Sequence, residues 1–201
     1  LIDFNDKENP ARIVFNAEWL GKLSMADVIK LASNFTVQQM IERDMFQKRI
    51  EVGDPVWLHE FLYPLLQGFD SVELDVDVEL CGRDQMFNAM AGRTLMKQIK
   101  NKEKFVVLNN LMENPKTGEL MSKSKGIGVF LNTSPFEMFG AIMAEDDEMI
   151  EVLFRNCTRI PMSELGPLLM RGPRDAKMVI ALDIVKRFFG EESAESAQAE
   201  W

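Results

Sequence analysis

Glu60, Tyr63, Gln67 and Asp70 stand at spacings of three, four and three within VWLHEFLYPLLQGFD (56–70). On an α-helix those spacings line a carboxylate, a phenol, an amide and a second carboxylate along one face. The segment contains no lysine or arginine, and Tyr63 is the only tyrosine of the chain. Pro64 and Gly68 kink or thin the helix beside the row. A row of this kind can hold an ammonium group, with carboxylate for charge and phenol and amide oxygens as acceptors. A solvated stripe on an amphipathic helix has the same spacing, so the row by itself leaves both readings open.

Two further clusters carry chemical potential. In CGRDQMFN (81–88), Gly82 lets the backbone approach a ligand closely, and Asp84 can accept from a pair of hydroxyls, as acidic residues do for ribose in nucleotide-binding α/β folds. Gln85 adds an amide near a helix start, although a plain Asp N-cap would look the same. Neither a GxGxxG fingerprint nor a Walker motif is present. In ELMSKSKG (119–126), Lys123 and Lys125 lie among Ser122 and Ser124 on a turn that ends in glycine. Alone it reads as a surface turn. Placed beyond a strand, a mobile loop with ammonium and hydroxyl donors can neutralise charge developing on a transferring pyrophosphate.

These clusters need elements to position them. ARIVFNAEWL (11–20) carries a β-branched run and reads as a strand, and SMADVIKLASN (24–34) as a helix capped by Ser24. TVQQMIERDMFQKRI (36–50) reads as one helix capped by Thr36. VDVELCG (76–82) alternates as a strand and runs into a helix over RDQMFNAMAGRTLMKQIK, and KFVVLNN (104–110) is a second strand. Strand, helix, strand, loop is the pattern of a parallel α/β sheet, in which ligands bind beyond the carboxyl ends of the strands. After residue 133 only helices are expected. Ser134, Pro135 and Glu137 form a capping box, and PRDAKMVIALDIVKRFFG starts on proline and ends on glycine. The expected fold is thus α/β, a partial Rossmann-like parallel sheet with crossover helices over 1–133, followed by an all-α domain over 134–201.

Composition narrows the function. A formal net charge of −9 excludes a nucleic-acid-coating protein while leaving room for RNA held by a few local cations. Cys81 and Cys157 lie far apart with no metal-ligand spacing, so a reduced compartment is expected. The opening LIDFNDKENP has neither the basic nor the apolar region of a signal peptide, and no apolar run is long enough for a membrane span. It also lacks an initiator methionine, which predicts a processed or truncated chain.

Taken together, YPLLQGFD, then GRDQ after one strand, then LMSKS after the next, resemble the class I tyrosyl-tRNA synthetases in order and spacing. The flanks NPARIVFNAEWL, TSPFEMFGAIM and PRDAKMVIALDIV resemble bacterial members of that family, and the resemblance covers essentially the whole chain. It implies Tyr63 and Gln67 near the ammonium of substrate tyrosine, Asp70 near its phenol and Gln85 near its carboxyl group. It places Gly82 and Asp84 at the ribose of the adenylate. Ser122, Lys123 and Ser124 would form the catalytic mobile loop, with Lys123 also binding ATP at its leaving pyrophosphate. The implied substrates are tyrosine, ATP with Mg2+ carried by the nucleotide, and tRNA(Tyr), with no protein-bound metal, DNA or membrane. A cytoplasmic homodimer formed through about residues 20–62 is implied as well, with residues 134–201 on the anticodon side.

Departures from the family pattern set further expectations. His59 is the only histidine, so an HxGH signature is not among these residues. Cys81 replaces the first of two glycines, Met86 an aromatic residue, and Glu119-Leu120 the site of a lysine. The chain therefore reads as the second half of a synthetase catalytic domain plus the helical domain, inactive alone and without the small C-terminal RNA-binding module. The alternative is a catalytically inactive, synthetase-derived dimerisation or RNA-binding module. A tryptophanyl relative is disfavoured by Tyr63, Gln67 and Asp70 together.

Overall fold

A computed structural model describes residues 2–201, which form two compact units, one ending at Asn109 and the other spanning Asn110–Trp201. In the first unit the expected strand over 11–20 is absent. Residues 11–15 join no ladder among the described residues, and α1 (Ala17–Leu20) follows. Its four residues, Ala-Glu-Trp-Leu, suit a helix turn, and the Trp19 indole is drawn into a bond with Asp70.

Helix α2 (Met25–Ala32) begins on Ser24, whose Oγ accepts from the Asp27 backbone while the Asp27 carboxylate accepts from the Ser24 N–H. Thr36 and Gln39 make the same reciprocal cap at α3 (Val37–Ile41). The single helix expected over 36–50 is instead broken, and α4 (Asp44–Glu51) starts after Arg43, which is extended at φ −61°, ψ 127°. At the break the Arg43 guanidinium lies 4.9 Å from the Phe46 ring and 4.8 Å from the Phe87 ring, two cation–π contacts.

Helix α5 (Leu58–Glu73) contains Pro64 in its interior and runs past the expected end. Strand β1 (Val78–Gly82) leads through a 3₁₀ turn, Arg83–Gln85, into α6 (Met86–Leu95). A π turn over Met96–Lys100 and a left-handed Asn101 (φ 52°) then return the chain to β2 (Phe105–Asn109). The strands pair in parallel from Val78↔Phe105 to Gly82↔Asn109, as the strand–helix–strand pattern requires.

Helices α5 and α6 meet at glycines. A Cβ on Gly68 would lie 2.8 Å from the Gly92 nitrogen, and one on Gly92 would lie 2.6 Å from Lys104 Nζ. The Lys104 side chain is 0% exposed, and its ammonium is bound by Ser71 Oγ (2.7 Å), the Ala89 carbonyl (3.1 Å) and the Glu79 carboxylate. It therefore ties β2 to α5, α6 and β1. The apolar core beside this clasp is Leu31, Val72, Leu95 and Met96. On the sheet, Val78, Leu80, Phe105 and Val107 are exposed, so one apolar face is bare.

The second unit opens with two successive tight turns, one closed by the isolated bridge Glu113↔Leu120 and the next by Ser122↔Ile127. Residues 110–133, assigned from the sequence to the first domain, cluster with the helices of this unit. Those helices are α7 (Pro135–Ala144), α8 (Ile150–Cys157), α9 (Leu165–Leu169), α10 (Pro173–Phe189) and α11 (Glu191–Glu200). The Ser134–Glu137 capping box is formed as expected. Buried Met138, Phe139, Ile142, Phe154, Ile180 and Val185 form the core, so methionine here is packing material. The Ala/Glu/Ser-rich end is a helix that buries Ala194 and Ala197 and brings the Trp201 ring to 6.1 Å from Phe139.

Candidate functional site

In the first unit, α5 supplies Tyr63, Gln67 and Asp70, and the turn after β1 supplies Gly82, Asp84 and Gln85. These are the carboxyl end of a parallel strand and a helix packed beside it, the arrangement in which open α/β sheets hold ligands. Tyr63 is exposed and one turn from Gln67. Glu60, the first member of the row, is occupied elsewhere: Arg49 pairs with it through both nitrogens, at 2.6 and 2.9 Å, and the Trp57 N–H donates to it. The Arg49 hydrogen bonds, followed by that of Trp57, hold the Glu60 carboxyl down at about 2. Glu60 is thus a structural anchor between α4 and α5, and the free part of the row begins at Tyr63.

Asp70 is oriented by two donors that sequence reasoning did not find. The Trp19 indole N–H donates to Oδ1 at 2.8 Å, and the Asn16 amide donates to Oδ2 at 3.2 Å. Asp70, Asn16 and Trp19, with Val14, Phe15 and Leu74, line an open cavity of about 330 Å³. A carboxylate whose oxygens each accept one bond still has lone pairs for a hydroxyl donor, so it is suited to a phenol. Nothing local in the sequence links residues 16 and 19 to residue 70.

Gln67 and Gln85, brought together by the α5–α6 crossing, share one partner. The Asn88 amide donates to Gln67 Oε1 at 2.8 Å and to Gln85 Oε1 at 3.0 Å. Gln85 in turn donates through Nε2 to Asp84 Oδ2 at 2.8 Å. Asn88 had a signal of its own, since it lies three residues after Gln85 on the same helix face. Gly82 is extended at φ −67°, ψ 153° and pairs with Asn109. Burial, then the Glu79 charge, pushes the Cys81 thiol upward, so it offers no thiolate here.

Ser122, Lys123 and Ser124 belong to the second unit. The Ser122 and Ile127 backbones exchange hydrogen bonds at 2.8 and 3.1 Å, and the enclosed residues form a 3₁₀ turn, Lys123–Lys125, closed by left-handed Gly126 at φ 69°. Ser122 Oγ and Ser124 Oγ are 3.0 Å apart, and Lys123 is exposed. Lys125 lies 3.7 Å from Glu119, so the acid at the expected lysine position neutralises a loop cation. The turn that precedes it, closed by Glu113↔Leu120, is rooted through buried Asn114, whose Oδ1 accepts from the Lys116 N–H and whose Nδ2 donates to Asp146. Among the described residues no group of three acidic, histidine or cysteine side chains could hold a metal, and no helix is long and apolar enough to cross a membrane.

Comparison with known proteins gives the family. The family model for tRNA synthetases class I (W and Y) matches residues 1–201. A tyrosine–tRNA ligase of Carboxydothermus hydrogenoformans is 41% identical over 196 residues, covering 94% of this chain and 48% of the relative. One from Thermotoga maritima is 42% identical over 190 residues, covering 92% and 47%. The chain thus spans about half the length of these relatives. The solved mitochondrial tyrosyl-tRNA synthetase of Coccidioides posadasii superposes with a TM-score of 0.64 at 22% identity, over 92% of this chain and 57% of that one, and so shares its fold. The family resemblance read from YPLLQGFD, GRDQ and LMSKS is borne out, and the chain belongs to the class I tRNA synthetases of the W and Y family.

Proposed function

We propose that this chain is the tyrosine- and ribose-binding part of a tyrosine–tRNA ligase, which activates tyrosine with ATP and transfers it to tRNA(Tyr). The observation that carries the reading is Asp70, a carboxylate fixed by Trp19 and Asn16 at an open cavity, on the helix that also presents Gln67 to the Asn88–Gln85 amides. Asp70 takes the substrate phenol, Tyr63 and Gln67 take its ammonium, and Gln85 its carboxyl group. Phenylalanine is rejected because it leaves the Asp70 carboxylate without its donor. Gly82 and Asp84 take the adenylate ribose. Lys123, with Ser122 and Ser124, stabilises the departing pyrophosphate of ATP, whose Mg2+ comes with the nucleotide. The reaction uses binding and charge stabilisation, with no covalent protein intermediate.

Further features bear on the finer reading. The bare apolar sheet face of Val78, Leu80, Phe105 and Val107 suits cover by the other half of a catalytic domain. With His59 as the only histidine, these 201 residues contain no HxGH signature, and we expect no catalysis from them alone. Exposed Met25, Ile29, Val37, Met45 and Leu58 on α2–α5 favour a homodimer through this region. The same patch favours the alternative of a non-catalytic dimerisation module. A cytoplasmic location accords with two free cysteines.

The test is tyrosine-dependent ATP–pyrophosphate exchange by the chain alone and by the chain fused behind the first half of the Carboxydothermus relative. Exchange is expected from the fusion only. Exchange by the chain alone would refute its expected inactivity. A folded fusion with no exchange would refute the ligase reading in favour of the non-catalytic one.

A further inference from the structure

Asn88 is only 4% exposed, and its one NH2 group is divided between two glutamine carbonyls, on α5 and at the start of α6. Its own Oδ1 is buried with no partner. An unpaired buried amide oxygen costs about 1–3 kcal/mol. Turning the amide over would set Oδ1 against two glutamine oxygens and lose both bonds. The side chain is therefore held for its two donated bonds, at the expense of its acceptor. Gln67, Asn88, Gln85 and Asp84 form one continuous hydrogen-bonded row. A glutamine amide otherwise rotates broadly about its last torsion, and here neither can do so without breaking its bond to Asn88.

We propose that Asn88 is a positioning residue that locks the amide orientations of Gln67 and Gln85 and couples them. The ammonium and carboxyl ends of the amino acid are then read by one hydrogen-bonded unit. This rests on the roles given above to Gln67 and Gln85. The isosteric Asn88→Asp replaces the two donors by acceptors, so both glutamines must turn their Nε2 groups inward.

The test uses the side-chain amide resonances of Gln67 and Gln85 in 1H–15N spectra of the purified chain, assigned by single substitutions. Asn88→Asp should move both pairs together while the backbone amides of α2 stay in place. Gln67→Ala should move the Gln85 pair, and this transfer should vanish in the Asn88→Ala background. Should Asn88→Ala fail to fold, Asn88→Leu, of similar size and with neither donor nor acceptor, serves as that background. A merely structural Asn88 would lower stability and leave the transfer intact, and that result overturns the proposal. In the exchange-competent fusion, Asn88→Asp should raise the KM for tyrosine about tenfold, and an unchanged KM also overturns it. The spectra need no substrate, so absence of wild-type exchange refutes the site reading without being confused with loss of coupling.

Discussion

Replacing Lys104 with methionine keeps an unbranched side chain one atom shorter and removes its ammonium from the place where β2, α5, α6 and β1 are joined. The variant leaves Glu79 without its cation, and Ser71 Oγ and the Ala89 carbonyl each lose a donor. Removing one member of a buried ion pair costs about 3–5 kcal/mol, because the partner charge stays behind uncompensated. The Glu79 side chain keeps 22% of its surface, so water relieves part of that penalty and the low end, about 3 kcal/mol, applies. At about 4 °C or more per kcal/mol for a unit of this size, the melting temperature should fall by about 12 °C or more. Urea unfolding followed by tryptophan fluorescence in a Trp201→Phe background isolates the first unit, which holds Trp19 and Trp57. The double variant Lys104→Met/Glu79→Leu should recover most of the loss, since a buried pair replaced by apolar groups is often neutral. A single-variant loss below about 1 kcal/mol, or a double variant no more stable than the single, would show that the clasp does not hold the unit together.

Gly92→Ala should lower the stability read by urea unfolding by about 2 kcal/mol, because its Cβ would press on the fixed Lys104 Nζ and Ser71 Oγ. Gly166→Ala, with nothing within 4 Å of the new Cβ inside α9, should raise it by up to about 1 kcal/mol, and a loss there would contradict the packing described. The carboxyl of Glu60 is held below its ordinary 4.5, at about 2, so its contribution is complete above about 4.5 and is lost as pH falls toward about 2. The stability difference between wild type and Glu60→Gln should accordingly be largest near neutral pH and shrink over that window, and a difference that grows on acidification would reverse the assignment. Ser134→Ala removes the cap of α7 and should cost about 1 kcal/mol by urea titration of the second unit, whereas an unchanged midpoint would show the capping box to be idle.

What was legible in the sequence was local. The caps at Ser24, Thr36 and Ser134, the two strands and the helix between them follow from neighbouring residues, and the structure has them. Tyr63, Gln67 and Asp70 were readable as a helical row, because i, i+4 and i+7 lie on one face whatever packs against it. What sequence reading missed was set at long range. Arg43 at the helix break meets Phe87, α1 replaces a strand where Trp19 meets Asp70, and Glu60 is taken by Arg49. None of these partners is near in the chain, and Lys104 gave no local sign that its ammonium would be buried. The loop of residues 110–133 follows a strand in sequence and so looked like part of the sheet domain, yet its anchors are Asp146 and Glu148 on the helical side.

The bridge between Ser122 and Ile127 bears on how the lysine loop can move. With the Ser122 and Ile127 backbones bonded to each other and the preceding turn rooted on Asn114, only Lys123, Ser124, Lys125 and Gly126 lie beyond that bridge. Fixing a residue's backbone costs about 1–2 kcal/mol, so gripping an anion as proposed would immobilise a four-residue tip and not the whole stretch after β2. Left-handed Gly126 is then the pivot of a short arm, and its stroke is limited to a few residues' length of chain.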